Sequence, residues 1–250
     1  MRPVGTSRVL VDFSPTCGAG DEIDLPEEVT RHLVTVLRLR ENGLVRLCNG
    51  KGTEWEATLL AASKKRYRAR LTTALPAVSP PFPLAIGVAL IKGDGFDRAI
   101  QKSVELGVAA IHLLQTDHTT VRRESTHDVK RMHHLQRIIA SACEQSGTRY
   151  LPELYAPVSL AQCLANQAGL GETGAHVLAF DPSGEPLPLT LPRRRTLLLT
   201  GPEGGWSNHE LEQMSTAGIP VCRLGSQILR AETAPLAALA AVRHGWGWQD

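Results

Sequence analysis

The chain has no apolar run of the roughly 18 residues that a membrane-crossing helix needs. Its first residues, MRPVGTSRVLVDF, also lack the apolar middle of a signal peptide. The two absences together lead to the expectation of a cytoplasmic protein with no membrane contact. The five cysteines, Cys17, Cys48, Cys143, Cys163 and Cys222, include no C-x-x-C pair, so neither a zinc site nor a disulfide framework is expected. Nine histidines are present, His133 and His134 side by side, but no H-E-x-x-H, and metal catalysis has no support. Charge of one sign is also lacking: the net is +2, divided into +3 over residues 1–75 and −1 over the remainder. What is there is a chain of 250 residues with 42% hydrophobic content, enough to bury one large core or two modest ones.

The stretch LPAVSPPFP, Leu75 to Pro83, has four prolines in nine residues, which removes backbone donors and blocks a regular element. It reads as a linker. Before it, SRVLVDF, GLVRLCN, EWEATLLAA and KRYRARLTT read as short strands, with Gly50 and Gly52 in a turn between the second and third. One helix interrupts them, DLPEEVTRHLVTVLRL, where Val29, Leu33, Val36 and Leu37 recur at helical spacing and Asp24 with Glu27 reads as its cap. The whole suggests a small β-barrel with one helix. After the linker, strands PLAIGVALI, AAIHLLQT, HVLAF, TLLLT and VCRLG alternate with helices, among them GFDRAIQKSVELG and DVKRMHHLQRIIASACEQSG. Such alternation predicts a mostly parallel sheet covered on both faces, with ligands at the carboxyl ends of the strands.

One of those strand ends carries LLLTGPEGGWSNHELEQM, Leu197 to Met214. A Walker loop would continue with Lys and Ser or Thr, but Trp206 and Ser207 follow, and Glu203 would repel an anion. The spacing is also wrong for G-x-G-x-x-G. That leaves a loop for close approach, offering backbone groups and one carboxylate to hydroxyls, a purine edge or a cationic ligand. Ser207 and Glu210 read as the capping box of the helix that follows. The next strand end, LGSQILRAETAPLAALAAV, breaks at Gly225, offers Thr233 as a helix cap with Pro235 in the first turn, and places Arg230 and Glu232 in an apolar setting. Those two charges are either a salt bridge at a helix start or part of a site. The helix after them is apolar on nearly every side, as in a core or a subunit interface. In KKRYRARL, Arg66, Arg68 and Arg70 fall on one strand face, which is either a solvated surface or a track for nucleic-acid phosphates.

Taken in order, RHLVTVLRL, NGKG, KGDGFDRAIQKSVELGV, IIASACEQSG, LLLTGPEGGWSNHEL and LGSQILRAETA resemble the RsmE family over nearly the whole chain. These are SPOUT-class enzymes that use S-adenosylmethionine to methylate N3 of a uridine in 16S ribosomal RNA. The resemblance implies an α/β protein: a PUA-like β-barrel over residues 1–74, the linker 75–83, and a SPOUT domain over 84–250 with a C-terminal trefoil knot and cofactor site at about 176–245. It also implies a homodimer acting on 16S rRNA, with the small ribosomal subunit as setting. The cofactor contacts carried over are Phe180, Asp181, Pro182, Leu199, Thr200, Gly201, Glu203, Gly204, Gly205, Leu224, Gly225, Ile228, Leu229 and Thr233. The expected RNA contacts are Arg38, Arg66, Arg68, Arg70, Lys92, Arg122 and Arg149. There are two departures. Gly95 stands where relatives often carry a basic residue, and Thr148 follows Gly147 where an arginine is usual, with Arg149 displaced by one. Neither is expected to touch the cofactor site.

On that reading Arg230 and Glu232 are catalytic. A guanidinium stays protonated, so Arg230 cannot be the base; it would stabilise negative charge on the uracil oxygens, with Glu232 orienting it or accepting the proton. Two other functions remain open: ribose 2′-O methylation by the same class of enzyme, and a non-catalytic RNA-binding assembly factor.

Overall fold

The structure, a computed structural model, describes residues 7–61, 63, 66–119, 125–168 and 175–248. Two compact units emerge: Met1–Pro80 with Cys143–Leu151, and Pro81–Ala142 with Pro152–Asp250. The chain changes unit inside the proline-rich stretch. It also returns to the first unit over Cys143–Leu151, which a division at residues 75–83 alone does not include.

The first unit contains β1 (Ser7–Leu10), β2 (Glu22–Asp24), α1 (Glu27–Arg31), β3 (Leu44–Cys48), β4 (Glu54–Ala61) and β5 (Tyr67–Ala74), with its sheet in the order β1-β3-β4-β5-β2. Alternation decides the buried face. Trp55, Ala57 and Leu59 of β4 and Ala69 and Leu71 of β5 turn inward to meet Val9, Val45, Leu47 and Leu33 in one core. The turn between β3 and β4 needs glycine, because a Cβ on Gly52, at φ +96°, would lie 2.4 Å from the Tyr150 hydroxyl.

The interrupting helix is shorter than its apolar spacing predicts. After α1 the chain widens into a π-type turn over His32–Val36, where Leu37 N–H reaches back to His32 C=O at 3.0 Å. Asp24 and Glu27 do not cap it. Pro26 holds the cap position with no side-chain bond, and Asp24 lies in β2, accepting Arg68 Nε at 2.8 Å. The strand β2 itself, three residues long, has no counterpart in the sequence reading.

A buried carboxylate ties Cys143–Leu151 to this unit. Glu54, with 5% of its side chain exposed, accepts Arg8 Nε at 2.7 Å and Arg149 Nε at 2.5 Å. Arg8 also donates to the carbonyls of Cys143 at 2.6 Å and Thr148 at 2.9 Å. Two guanidiniums on one buried carboxylate make a set in which removing any member strands the others.

The second unit has six parallel strands in the order β11-β9-β10-β6-β7-β8: β6 (Leu84–Ala89), β7 (Ala110–Gln115), β8 (Glu153–Ser159), β9 (His176–Pro186), β10 (Thr196–Thr200) and β11 (Val221–Arg223). All five residues of β10 are buried, as in a strand covered on both faces. The helices are α2 (Asp94–Glu105), α3 (Ser125–Ser146), α4 (Leu160–Ala168), α5 (Asn208–Thr216) and α6 (Ala234–Gly245). In α2, Phe96, Ile100 and Val104 share the buried face, as their spacing predicts. Neither β8 nor α4 was expected. The edge strand ELYAPVS carries a proline and an irregular burial pattern, which hides its period. Among the described residues no helix is long and apolar enough to cross a membrane.

Candidate functional site

The middle of β9 and the carboxyl end of β10 open into a cavity of about 550 Å³ lined by Phe180, Asp181, Pro182, Gly201, Pro202, Glu203, Gly205, Trp206, Ile228, Leu229, Arg230, Ala231, Glu232 and Ala234. A smaller lobe of about 60 Å³ shares Phe180, Asp181, Pro182, Leu229 and Ala234 and adds Leu224, Gly225, Gln227, Cys222 and Arg223.

Each wall has a local cause. The strand read as HVLAF runs on to Pro186, so Phe180 to Pro182 lie inside β9. There the strand leaves β10 after Phe180, and the β11 register jumps from Ala179 to Glu185. The irregular stretch is folded on itself by Asp181 Oδ1, which accepts the Ser183 amide at 2.9 Å and hydroxyl at 2.6 Å. Gly184 permits the crossing, since a Cβ there would lie 2.6 Å from Val221 O.

The second wall is the glycine loop after β10. A Cβ on Gly201 would press on the Trp206 indole at 3.3 Å, and Gly205 has φ +69°, a conformation glycine adopts without strain. Trp206 is 5% exposed and donates Nε1–H to Phe180 O at 3.0 Å, pinning this loop to the first wall. Ser207 and Glu210 form the expected capping box of α5. The third wall, Leu224 to Thr233, is mostly exposed, with Ile228 83% accessible. Thr233 stands at the start of α6, but its side chain makes no cap bond there; Pro235 is in the first turn as expected.

Most predicted contacts therefore converge, and some do not. Phe180, Asp181, Pro182, Gly201, Glu203, Gly205, Ile228 and Leu229 line the main cavity, while Leu224 and Gly225 line the small lobe. Leu199 and Thr200 are buried within β10, and Gly204 and Thr233 line neither cavity. Trp206, Pro202, Ala231 and Ala234 were missed; a tryptophan directly after a glycine-rich turn was the available signal for the first.

Arg230 and Glu232 both face the main cavity, and neither joins an ion pair among the described residues, so they are not the salt bridge at a helix start. The Glu232 side chain lies over Gly95, where an added Cβ would meet its Cδ at 3.4 Å. The Gly95 departure thus touches the cavity wall, contrary to expectation. With Asp181, Glu203 and Glu232 against Arg230, the lining favours a cationic ligand over an anionic one.

The expected RNA contacts divide. Arg68 and Arg70 lie on the outer face of β5, but they are engaged. Arg68 donates to Asp24 and also meets Glu22 at 3.5 Å, and Arg70 donates to Glu22 at 2.8 Å. The hydrogen bond from Arg70 and the guanidinium charges hold Glu22 below the ordinary carboxylate value. Arg66, Arg38 and Lys92 are exposed, and Arg38 sits at φ 54°. Arg149 is bound to Glu54 and to the Pro76 carbonyl, which leaves its guanidinium little to offer a phosphate. Arg122 lies outside the described residues.

A sequence model of an RNA methyltransferase domain matches residues 78–243, and one of an RNA methyltransferase PUA domain matches residues 25–72. The ribosomal RNA small subunit methyltransferase E of Synechocystis sp. is 33% identical across 84% of this chain and 69% of its own length. The chain belongs to the ribosomal RNA small subunit methyltransferase E family. A second member, from Bacillus subtilis, is 29% identical across 87% of this chain and 88% of its own. The family enzyme from Neisseria gonorrhoeae, solved with S-adenosylmethionine, superposes with a TM-score of 0.82 at 31% identity, covering 96% of this chain and 97% of that one. A Legionella pneumophila protein solved with the same cofactor gives 0.86, again at 31%, covering 96% and 98%.

Proposed function

We propose that this family member transfers the methyl group of S-adenosylmethionine to N3 of a uridine in 16S ribosomal RNA. The cavity between the middle of β9 and the end of β10 supports this reading best. Its size suits a drug-sized ligand, its walls are apolar at Phe180, Trp206 and Leu229, and its charges are mostly carboxylates. A cofactor with an aromatic base and a positive sulfur meets both demands, and the close approach at Gly201 leaves backbone groups to meet its polar edges. When bound, the cofactor supplies the electrophilic methyl carbon.

The protein's part is orientation and charge. Phe180 and Trp206 fix the plane of one wall, while Glu203 and Asp181 place negative charge beside the positive ligand. A uracil that loses its N3 proton spreads negative charge over two carbonyl oxygens, and Arg230, permanently protonated at the cavity, is the group to meet it. Glu232, held over Gly95 and not paired with Arg230, is the carboxylate at the cavity that takes the proton.

The same reading carries the knotted path of residues 176–245, a homodimer and a cytoplasmic setting. The half-buried face of α6, Leu236, Ala237, Ala240 and Ala241, gives the dimer an apolar surface. Exposed Arg38, Arg66 and Lys92 would contact RNA phosphates, and reaching a structured base would cost a few kcal/mol of unstacking. Labelled methyl transfer to small subunits that lack the modification tests the proposal. Label in N3-methyluridine is expected; label in a 2′-O-methylated nucleoside would move the activity to ribose.

A further inference from the structure

We propose that His118 is a positioning residue for the glycine loop: its imidazole holds two loop carbonyls and so pre-forms the wall on which the methyl donor binds. The proposal rests on the reading of the cavity given above. His118 lines neither lobe. It belongs to the turn Thr116–Thr119 that follows β7, closed by a bond from the Thr116 amide to Thr119 Oγ1 at 3.1 Å.

From that turn, His118 Nδ1 lies 3.0 Å from Gly204 O and 3.2 Å from Gly205 O. A carbonyl oxygen can only accept, so Nδ1 carries the hydrogen and serves both carbonyls as one shared donor. The neighbouring residue anchors the turn. The Asp117 amide donates to Glu210 Oε1 at 3.1 Å, and Asp117 Oδ2 accepts the Ser207 hydroxyl at 2.5 Å. Glu210 is 3% exposed, so the carboxylate that completes the α5 capping box also secures the turn carrying His118. The absence of a side chain at Gly204 makes the seat possible, since a Cβ there would lie 3.0 Å from His118 Cβ.

The loop is therefore held at two places, by Trp206 on the Phe180 carbonyl and by His118 on Gly204 and Gly205. From Gly201 to Trp206 three glycines, Gly201, Gly204 and Gly205, would otherwise sample many conformations, with Gly205 already in the left-handed region. Without the imidazole, ordering the loop becomes a cost of binding; once ligand is in place, the loop is the same. His118 should thus set affinity for the cofactor and leave turnover at saturation alone.

The test measures binding of S-adenosylmethionine by calorimetry, and KM and kcat for methyl transfer, in the full chain and in H118A, H118N and H118Q. The asparagine amide nitrogen occupies the place of Nδ1 and should restore the bond; the glutamine amide reaches further and should not. H118A and H118Q are expected to weaken Kd and raise KM for the cofactor by about five- to tenfold, the loss of one shared hydrogen bond and its ordering effect. H118N should stay within about twofold of the unsubstituted protein, and kcat should be kept in all three at that precision. His118 is exposed, so thermal unfolding should not separate the variants. Equal affinity in all four proteins, or a fall in kcat at saturating cofactor, would overturn the role of His118. Failure of the unsubstituted protein to bind the cofactor at all would instead overturn the reading of the cavity, and this proposal with it.

Discussion

The loop after β10 and the loop after β11 face the same cavity and are built on opposite plans. Gly201–Ser207 is held by Trp206 on Phe180 O, by His118 on two carbonyls, by Gly205 N–H on Pro202 O at 3.0 Å, and by the Ser207–Asp117–Glu210 set. In Leu224–Thr233 the bonds gather at the far end, where the Thr233 and Ala234 amides reach Arg230 O at 2.8 and 3.0 Å, while Ser226, Gln227, Ile228 and Arg230 stand exposed. The difference suggests a division of labour. One wall is formed before the ligand arrives; the other carries the charged groups and gains its cover, at Ile228 above all, when the ligand is in place.

The sharpest way to break that comparison is Trp206→Ala. Emptying a buried indole costs about 3–5 kcal/mol and removes the pin on Phe180, so a fall of several degrees or more in Tm with loss of cofactor binding is expected. Trp206→Phe, which keeps a ring but not the N–H, should fall between; a Tm unchanged in both would remove the pre-formed wall. Next in size is Arg230→Ala on the other wall, which should lower kcat by roughly 10²–10³, about 2.7–4 kcal/mol, with cofactor affinity and Tm kept. Near-normal turnover would take Arg230 out of catalysis. Ile228→Ala should leave Tm alone and weaken cofactor binding about tenfold at most, since an exposed side chain has only ligand contacts to lose. If Tm fell instead, the two loops would be alike.

Glu203→Gln is smaller still, a loss of about twofold to fivefold in affinity that shrinks as salt rises, because the carboxylate is exposed and screened. The smallest effect lies in the first unit. Arg66→Gln should reduce the salt slope of RNA binding by about 0.7–0.9, whereas Glu22→Gln with Asp24→Asn should steepen it by releasing Arg68 and Arg70. No change in either would leave the β5 face a solvated surface.

These two loops also mark where sequence reading succeeds and where it stops. The capping box of Ser207 and Glu210 was legible because its partners are three residues apart, and β10 because three consecutive leucines between two threonines suit a strand buried on both faces. Asp24 was misread as a cap for the converse reason: its partner, Arg68, lies 44 residues away and outcompetes the local bond. The strand β8 escaped because Pro157 and an edge position obscure the period. Nothing local could pair Arg8 with Glu54 and Arg149, or bring His118 to Gly204 across 86 residues. The motif positions Leu199 and Thr200 belong to the scaffold: both are buried, on opposite faces of the sheet at β10, and Thr200 Oγ1 donates to Gly87 O at 3.3 Å.

The measurement that bears most directly on the central claim is the identity of the methylated nucleoside. Small ribosomal subunits lacking the modification, incubated with this protein and labelled S-adenosylmethionine, should yield label in N3-methyluridine, and Arg230→Ala should lose that label while still binding the cofactor. Label confined to a ribose-methylated nucleoside, or no transfer from a protein that binds the cofactor, would contradict it.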